Sequence, residues 1–286
     1  MLSILRIGLA QTACPDQDRD PAEVVEQSLA SQLDLIEQAV RVGVQLLCFP
    51  ELCCLPWFLG GPDPRWLQQA WPVDHPALKR VQRTAGIHRC VVIFPFLERS
   101  ASGALHSSAA VIDSDGSLLG LVRRQHVLPA EGDHIVQGEG VMPVFGTTAG
   151  RIGVALGHDL HLPEVARCLG LQGAELILFP TASSTDTPRI LWEAEPLVVA
   201  AQNGCWVGAC NRVGTETLRG PGGARVTTFG GGSYFADARG RFLARASRDQ
   251  PATIRADLPH SRLQGERDRD PPHALRRPGI YRSLVV

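Results

Sequence analysis

The segment from Arg151 to Glu164 reads RIGVALGHDLHLPE. A short apolar strand over 152–156 runs into a sharp turn, and Pro163-Glu164 then opens a helix. A strand–elbow–helix of this kind holds one side chain out into a pocket, ahead of a helix N-terminus whose N–H groups favour negative charge. A nucleophile is the residue that chemistry would put there. This chain has Gly157 instead, so position 157 cannot form a covalent intermediate. His158, Asp159 and His161 follow the elbow directly. With His126 or His134 they offer imidazole and carboxylate donors of the kind that bind zinc, iron or nickel. His-x-x-His on a loop is a weak pattern, and no metal or cofactor is expected. His158 and Asp159 are instead assigned to substrate binding, His158 as pocket lining and Asp159 through a structural hydrogen bond beside it. Cys53 and Cys54 lie on a loop expected to border the pocket. They offer a relocated thiol, or small apolar side chains packed under the loop, and the second reading is adopted.

The elements needed to position these residues are legible in the apolar spacing. Strands are expected over 5–12, 45–49, 91–96, 108–113, 118–124, 142–145, 152–156, 176–179, 206–210, 233–236, 242–246 and 253–256. Residues 21–42 carry apolar positions at helical spacing, with Pro21 in the first turn and Gly43 as the stop. Further helices are expected over 76–85, 163–171 and 188–203. Hairpin turns at Ser114-Asp115-Gly116 and Asp237-Ala238-Arg239-Gly240 interrupt the alternation of strand and helix. That argues for a layered α/β sandwich over a purely parallel sheet. From Pro259 onward the chain reads as an irregular Arg- and Pro-rich tail.

Composition removes several function classes. The chain has 286 residues, 44% hydrophobic and 20% charged, enough for one large α/β domain. Its net charge of −1 gives no sign of a nucleic-acid surface. The tail arginines Arg262, Arg267, Arg269, Arg276 and Arg277 alternate with Glu266, Asp268 and Asp270, which suggests salt-bridged subunit contacts. No apolar run reaches the ~18–20 residues of a membrane span, and the start lacks the features of a signal peptide. The eight cysteines are scattered, as expected of reduced thiols in a cytoplasmic protein. Among 28 basic residues the only lysine is Lys79.

Four motifs recur in one order: FPEL (Phe49–Leu52), GLVRRQHVLP (Gly120–Pro129), GRIGVALGHDLHLPE (Gly150–Glu164), and CNRVGTE (Cys210–Glu216) with GGSYFADARG (Gly231–Gly240). Together they resemble the nitrilase, or carbon–nitrogen hydrolase, superfamily over essentially the whole chain. The nearest flavour is that of the N-carbamoyl-amine and ω-amidase branches. The resemblance implies a four-layer α-β-β-α sandwich, built into homodimers or larger homo-oligomers. It implies a Glu–Lys–Cys triad with a second glutamate, in which cysteine attacks an amide, ureido or nitrile carbon, glutamate takes the proton and lysine meets the oxyanion. Carried over position by position, Glu51 matches the base and Glu131 the second glutamate. Arg124 stands at the lysine position and Gly157 at the cysteine position. Arginine keeps the charge as a planar fork that is always protonated. Trp57 and Phe58 resemble the aromatic rim that follows the glutamate, where they either shape a small pocket or belong to the core.

These readings lead to a domain over 1–258, with a tail over 259–286 packed on it or at a subunit interface. The protein is expected not to be a Cys-dependent amidase. Two classes remain open. One is a pseudoenzyme that binds a small amide, ureido or carboxylate ligand or scaffolds a partner. The other is a redirected enzyme with Glu51 as base and Arg124 as an electrostatic clamp on a ligand carboxylate or carbamoyl group. Neither nucleic acid nor membrane is expected as a partner.

Overall fold

The computed structural model describes residues 4–13, 17, 19–57, 63–129, 131–132, 134–220, 223–269 and 273–285. The first half contains β1 (Ile4–Gln11), α1 (Pro21–Arg41), β2 (Leu46–Cys48), α2 (Pro64–Leu67), α3 (Pro76–His88), β3 (Val91–Arg99), β4 (Leu105–Ile112) and β5 (Leu118–Arg123). The second contains β6 (Val144–Thr147), β7 (Gly150–Val154), a 3₁₀ turn (Gly157–His161), α4 (Pro163–Leu171), β8 (Leu176–Pro180), α5 (Arg189–Asn203) and β9 (Trp206–Cys210). It ends with β10 (Val213–Gly220), β11 (Gly223–Gly230), β12 (Tyr234–Ala236), β13 (Phe242–Arg245), β14 (Ala252–Pro259) and α6 (His260–Arg269).

Two six-stranded sheets form, in the orders β14-β1-β2-β3-β4-β5 and β13-β12-β9-β8-β7-β6. Each has three parallel strands at its centre: β1, β2 and β3 in one, β7, β8 and β9 in the other. Each is closed by antiparallel strands on both sides. Buried parallel strands bear apolar residues on both faces. Leu46 and Cys48, with Ile7, Val91, Ile152, Leu176, Leu178 and Trp206, belong to the core between the sheets. Their neighbours point the other way. Leu47, Phe49 and Phe94 pack with Val24, Leu29 and Ile36 of α1, and Ile177, Phe179 and Val207 pack with Val165 and Leu169 of α4 and Val199 of α5. The result is the expected four-layer α-β-β-α sandwich.

α1 begins where expected. Asp20 accepts hydrogen bonds from the Ala22 and Glu23 amides, and Pro21 fills the first turn. One element was not anticipated and one expectation is corrected. The stretch after β9 forms a separate two-stranded hairpin, β10–β11, with full antiparallel register from Val213↔Gly230 to Gly220↔Gly223. The tail is not irregular at its start, since α6 follows β14 directly. Its arginines bind their own chain: Arg262 Nη2 donates to Asp237 Oδ2 at 2.8 Å, and Arg267 Nε donates to the Gly204 carbonyl at 2.6 Å. No helix among the described residues is long and apolar enough to cross a membrane.

Candidate active site

The carboxyl ends of the parallel strands β2, β7 and β8 meet at one edge of the sandwich, the place where open α/β sheets bind ligands. Phe49-Pro50 carries the chain from β2 to Glu51, whose amide donates to the Thr181 carbonyl just past β8. Ser107 projects from β4, and Arg124 directly follows β5 with its amide bound to the Ser107 carbonyl. Gly157 follows β7 at φ +53°, the left-handed conformation that glycine adopts without strain.

Glu51, Arg124 and Glu131 are buried together. Glu51 Oε1 accepts from Ser107 Oγ at 2.6 Å and from Arg124 Nη1 at 3.2 Å. Arg124 Nη2 donates to Glu131 Oε2, which also accepts from the Leu128 amide at 3.0 Å. Both terminal nitrogens of Arg124 are thus held by carboxylates. Trp57 covers the guanidinium, with 6.0 Å between the guanidinium carbon and the ring centroid. Glu51 Oε2 and Arg124 Nε have no hydrogen-bond partner among the described residues. Burial raises the Glu51 pKa above the usual carboxylate value, against the opposing pull of Arg124 and Ser107. Burial alone would lower the Arg124 pKa, but Glu51 and Glu131 outweigh it and the guanidinium stays charged.

Glu51 also fills space at the elbow. A Cβ built on Gly157 would fall inside van der Waals contact of Glu51 Oε2, with Cδ and Oε1 each 3.0 Å away.

A ring of further residues fixes this centre. Arg212 is buried, and its Nη2 donates to the Glu51 and Leu52 carbonyls at 2.6 and 2.9 Å. Its Nη1 donates to the Leu55 carbonyl at 3.0 Å and to Glu216 Oε1 at 2.7 Å. Glu216 Oε2 accepts from the Trp57 amide at 2.6 Å. The loop so gripped contains Leu52 at φ +49°, a conformation that a branched side chain adopts only when its surroundings impose it. Ser107, Arg212 and Glu216 escaped the residue reading. Arg212 and Glu216 lie four apart inside CNRVGTE, which was the one available signal.

The structure thus brings Glu51, Arg124, Glu131, Gly157, Trp57 and His158 around one cavity of about 250 Å³. Asp159 does not line it. It is buried and accepts from the Gln125 and His126 amides at 3.0 and 2.9 Å and sits 2.8 Å from His126 Nδ1, tying the elbow to the segment that carries Arg124. Phe58 lies outside the described residues. Cys53 and Cys54 are buried in the core beneath α1 and do not line the cavity. Arg124, read as a clamp, lines the cavity with both terminal nitrogens already paired to Glu51 and Glu131. His158 is pushed below the usual imidazole range by burial, then by His161 and Arg124.

A family model described as "Carbon-nitrogen hydrolase" matches residues 6–268. The chain belongs to the carbon–nitrogen hydrolase family. The match runs through most of α6, past residue 258. Among curated relatives of this family member, a beta-ureidopropionase from Arabidopsis thaliana is 30% identical over 76% of the chain, which spans 55% of that protein's length. An N-carbamoylputrescine amidase from Solanum tuberosum is 28% identical over 99% of the chain and 95% of that protein. The crystal structure of a carbon-nitrogen hydrolase from Helicobacter pylori superposes with a TM-score of 0.86 at 26% identity, covering 99% of this chain and 98% of that one.

Proposed function

We propose that this carbon–nitrogen hydrolase family member binds a small amide or ureido compound in the Glu51–Gly157 cavity and does not hydrolyse it through a thiol: a pseudoenzyme by descent. The observation that carries this reading is the shared volume at the elbow. Position 157 has no side chain, and the first atom of one would clash with the Glu51 carboxylate. A family base closed onto Arg124 and pressed against glycine has no nucleophile to activate. The buried polar groups and the Trp57 face suit a planar amide or ureido group, whose N–H and C=O groups pair with them in place of water. The names of the two curated relatives concern ureido and N-carbamoyl compounds, which supports that ligand class. The redirected enzyme is the weaker reading, because it needs Arg124 free. The proposal includes a homodimer or larger homo-oligomer in the cytoplasm, with 259–286 packed on a 1–258 domain or at a subunit interface.

The test is incubation of the purified protein with amides, nitriles and N-carbamoyl compounds. Intact-mass spectrometry should find no acyl adduct and an ammonia assay no turnover, while at least one ureido compound raises the melting temperature. An adduct on any cysteine, Cys53 and Cys54 included, overturns the reading.

A further inference from the structure

The cavity has two electrically different ends. At its buried end Arg124 is neutralised in place by Glu51 and Glu131. Its open end carries Arg225, on β11 of the hairpin, and Asp186, in the segment between β8 and α5. Both are exposed, and no ion pair joins them. The Arg225 side chain makes no hydrogen bond and no ion pair among the described residues. The Asp186 carboxylate accepts only one long contact, from Ser184 Oγ at 3.4 Å. Opposite charges that line one cavity without meeting each other gain most from a ligand that presents an anion to one and a cation to the other. Hydroxyls line the same cavity, on Ser183, Thr187 and Thr227.

From this arrangement, and resting on the ligand-binding reading above, we infer that the ligand is a ureido or amide compound whose far end is an α-amino acid head. Its carboxylate pairs with Arg225, its ammonium group with Asp186, and its ureido or amide end reaches Glu131, Trp57 and His158. The hairpin is then a recognition arm: residues 225 and 227 alternate onto the face that meets the cavity, whereas Val226 points to solvent and is 62% exposed. Arg124, buried and doubly paired, plays no part in reading the head group.

Isothermal titration with three probes decides the matter: L-citrulline (ureido with an amino-acid head), 3-ureidopropionate (ureido with a carboxylate alone) and propylurea (ureido, uncharged). Wild type should bind citrulline tightest and propylurea weakest. Arg225→Gln should weaken citrulline and 3-ureidopropionate by ~10–100-fold and leave propylurea unchanged. Asp186→Asn should weaken citrulline alone. Both residues are exposed and unpaired with any ion, so an unchanged melting temperature without ligand verifies that each variant is folded. If propylurea matches citrulline on wild type, or Arg225→Gln leaves citrulline untouched, the head-group assignment is overturned while the ureido pocket stands. If no probe binds wild type, the pocket reading falls and this inference falls with it.

Discussion

A cysteine introduced at position 157 would have to displace Glu51, whose carboxylate is held by Ser107 and Arg124. It would also have to adopt φ +53°, which costs a residue with a Cβ about 1–3 kcal/mol. Gly157→Cys is therefore expected to lower stability and to leave amide and ureido hydrolysis undetected in an ammonia assay. The double variant Gly157→Cys/Arg124→Lys gives Glu51 a smaller partner and a single ammonium to meet an oxyanion, and it should exceed the single variant by ~10²–10³ in rate. Equal rates would show that Arg124 is not an obstacle. Removing the cation alone makes a different point. Arg124→Ala leaves Glu51 and Glu131 buried without their partner, which is expected to cost ~3–5 kcal/mol near neutral pH. The pH dependence has a definite sign. A carboxyl whose folded pKa is raised contributes stability that is fully present below its unfolded pKa and is lost as pH rises through the folded value. Burial raises Glu51 already in the wild type, and the loss of Arg124 raises it further. The deficit of Arg124→Ala should therefore shrink as the pH falls from about 7.5 to about 5 in urea unfolding. A deficit that grows on acidification would place the effect elsewhere.

The elements that carry the site owe their precision to side chains that grip backbone. Arg212 binds the carbonyls of Glu51, Leu52 and Leu55 and so holds the chain through the left-handed Leu52. Arg212→Lys keeps the charge but not the fork, and it should lose at least two of these bonds. The expected destabilisation is ~2 kcal/mol or more by chemical denaturation, and intrinsic tryptophan fluorescence should report the loosening around Trp57. An unchanged midpoint would mean that the loop holds itself. The legibility of the elements follows from the same physics. α1, α4 and β9 were plain because each buries an apolar face of regular period, and Asp20 and Pro21 mark the start of α1. The β10–β11 hairpin was not, because most of β11 faces solvent and its Gly-rich segments mimic loop composition. α6 was hidden for the opposite reason: HSRLQGERDR is polar on nearly every side, and arginine bonds to Asp237 and to carbonyls hold it, with Leu263 as its buried apolar anchor. At the site, Glu51 and Gly157 could be placed from their motifs. That Glu51 lies over Gly157 depends on two chain segments more than a hundred residues apart, and no local pattern carries that distance.

At the scale of the whole molecule, the site is a seam between two similar halves. The β1–β5 half supplies Glu51, Ser107 and Arg124; the β7–β9 half supplies Gly157, Thr181 and Arg212. The seam is sewn by bonds that cross it, such as Arg212 to Glu51 and the Glu51 amide to Thr181. Three parallel strands flanked by antiparallel ones recur in both sheets. What recurs is a pattern of burial rather than of residue identity. A ligand seated in this seam touches both halves together and the hairpin besides, so its stabilisation should be shared among them rather than local. Hydrogen–deuterium exchange with a saturating ureido amino acid is expected to slow exchange over 51–57, 181–187 and 223–230 in one concentration-dependent step, with α6 unaffected. At a hundred times the dissociation constant, mass action adds ~2.7 kcal/mol to global stability, enough to raise the melting temperature by several degrees in a chain of this size. Protection confined to 223–230 would mean that the compound rests on the hairpin alone and that the buried carboxylates and Arg124 hold the seam closed against it.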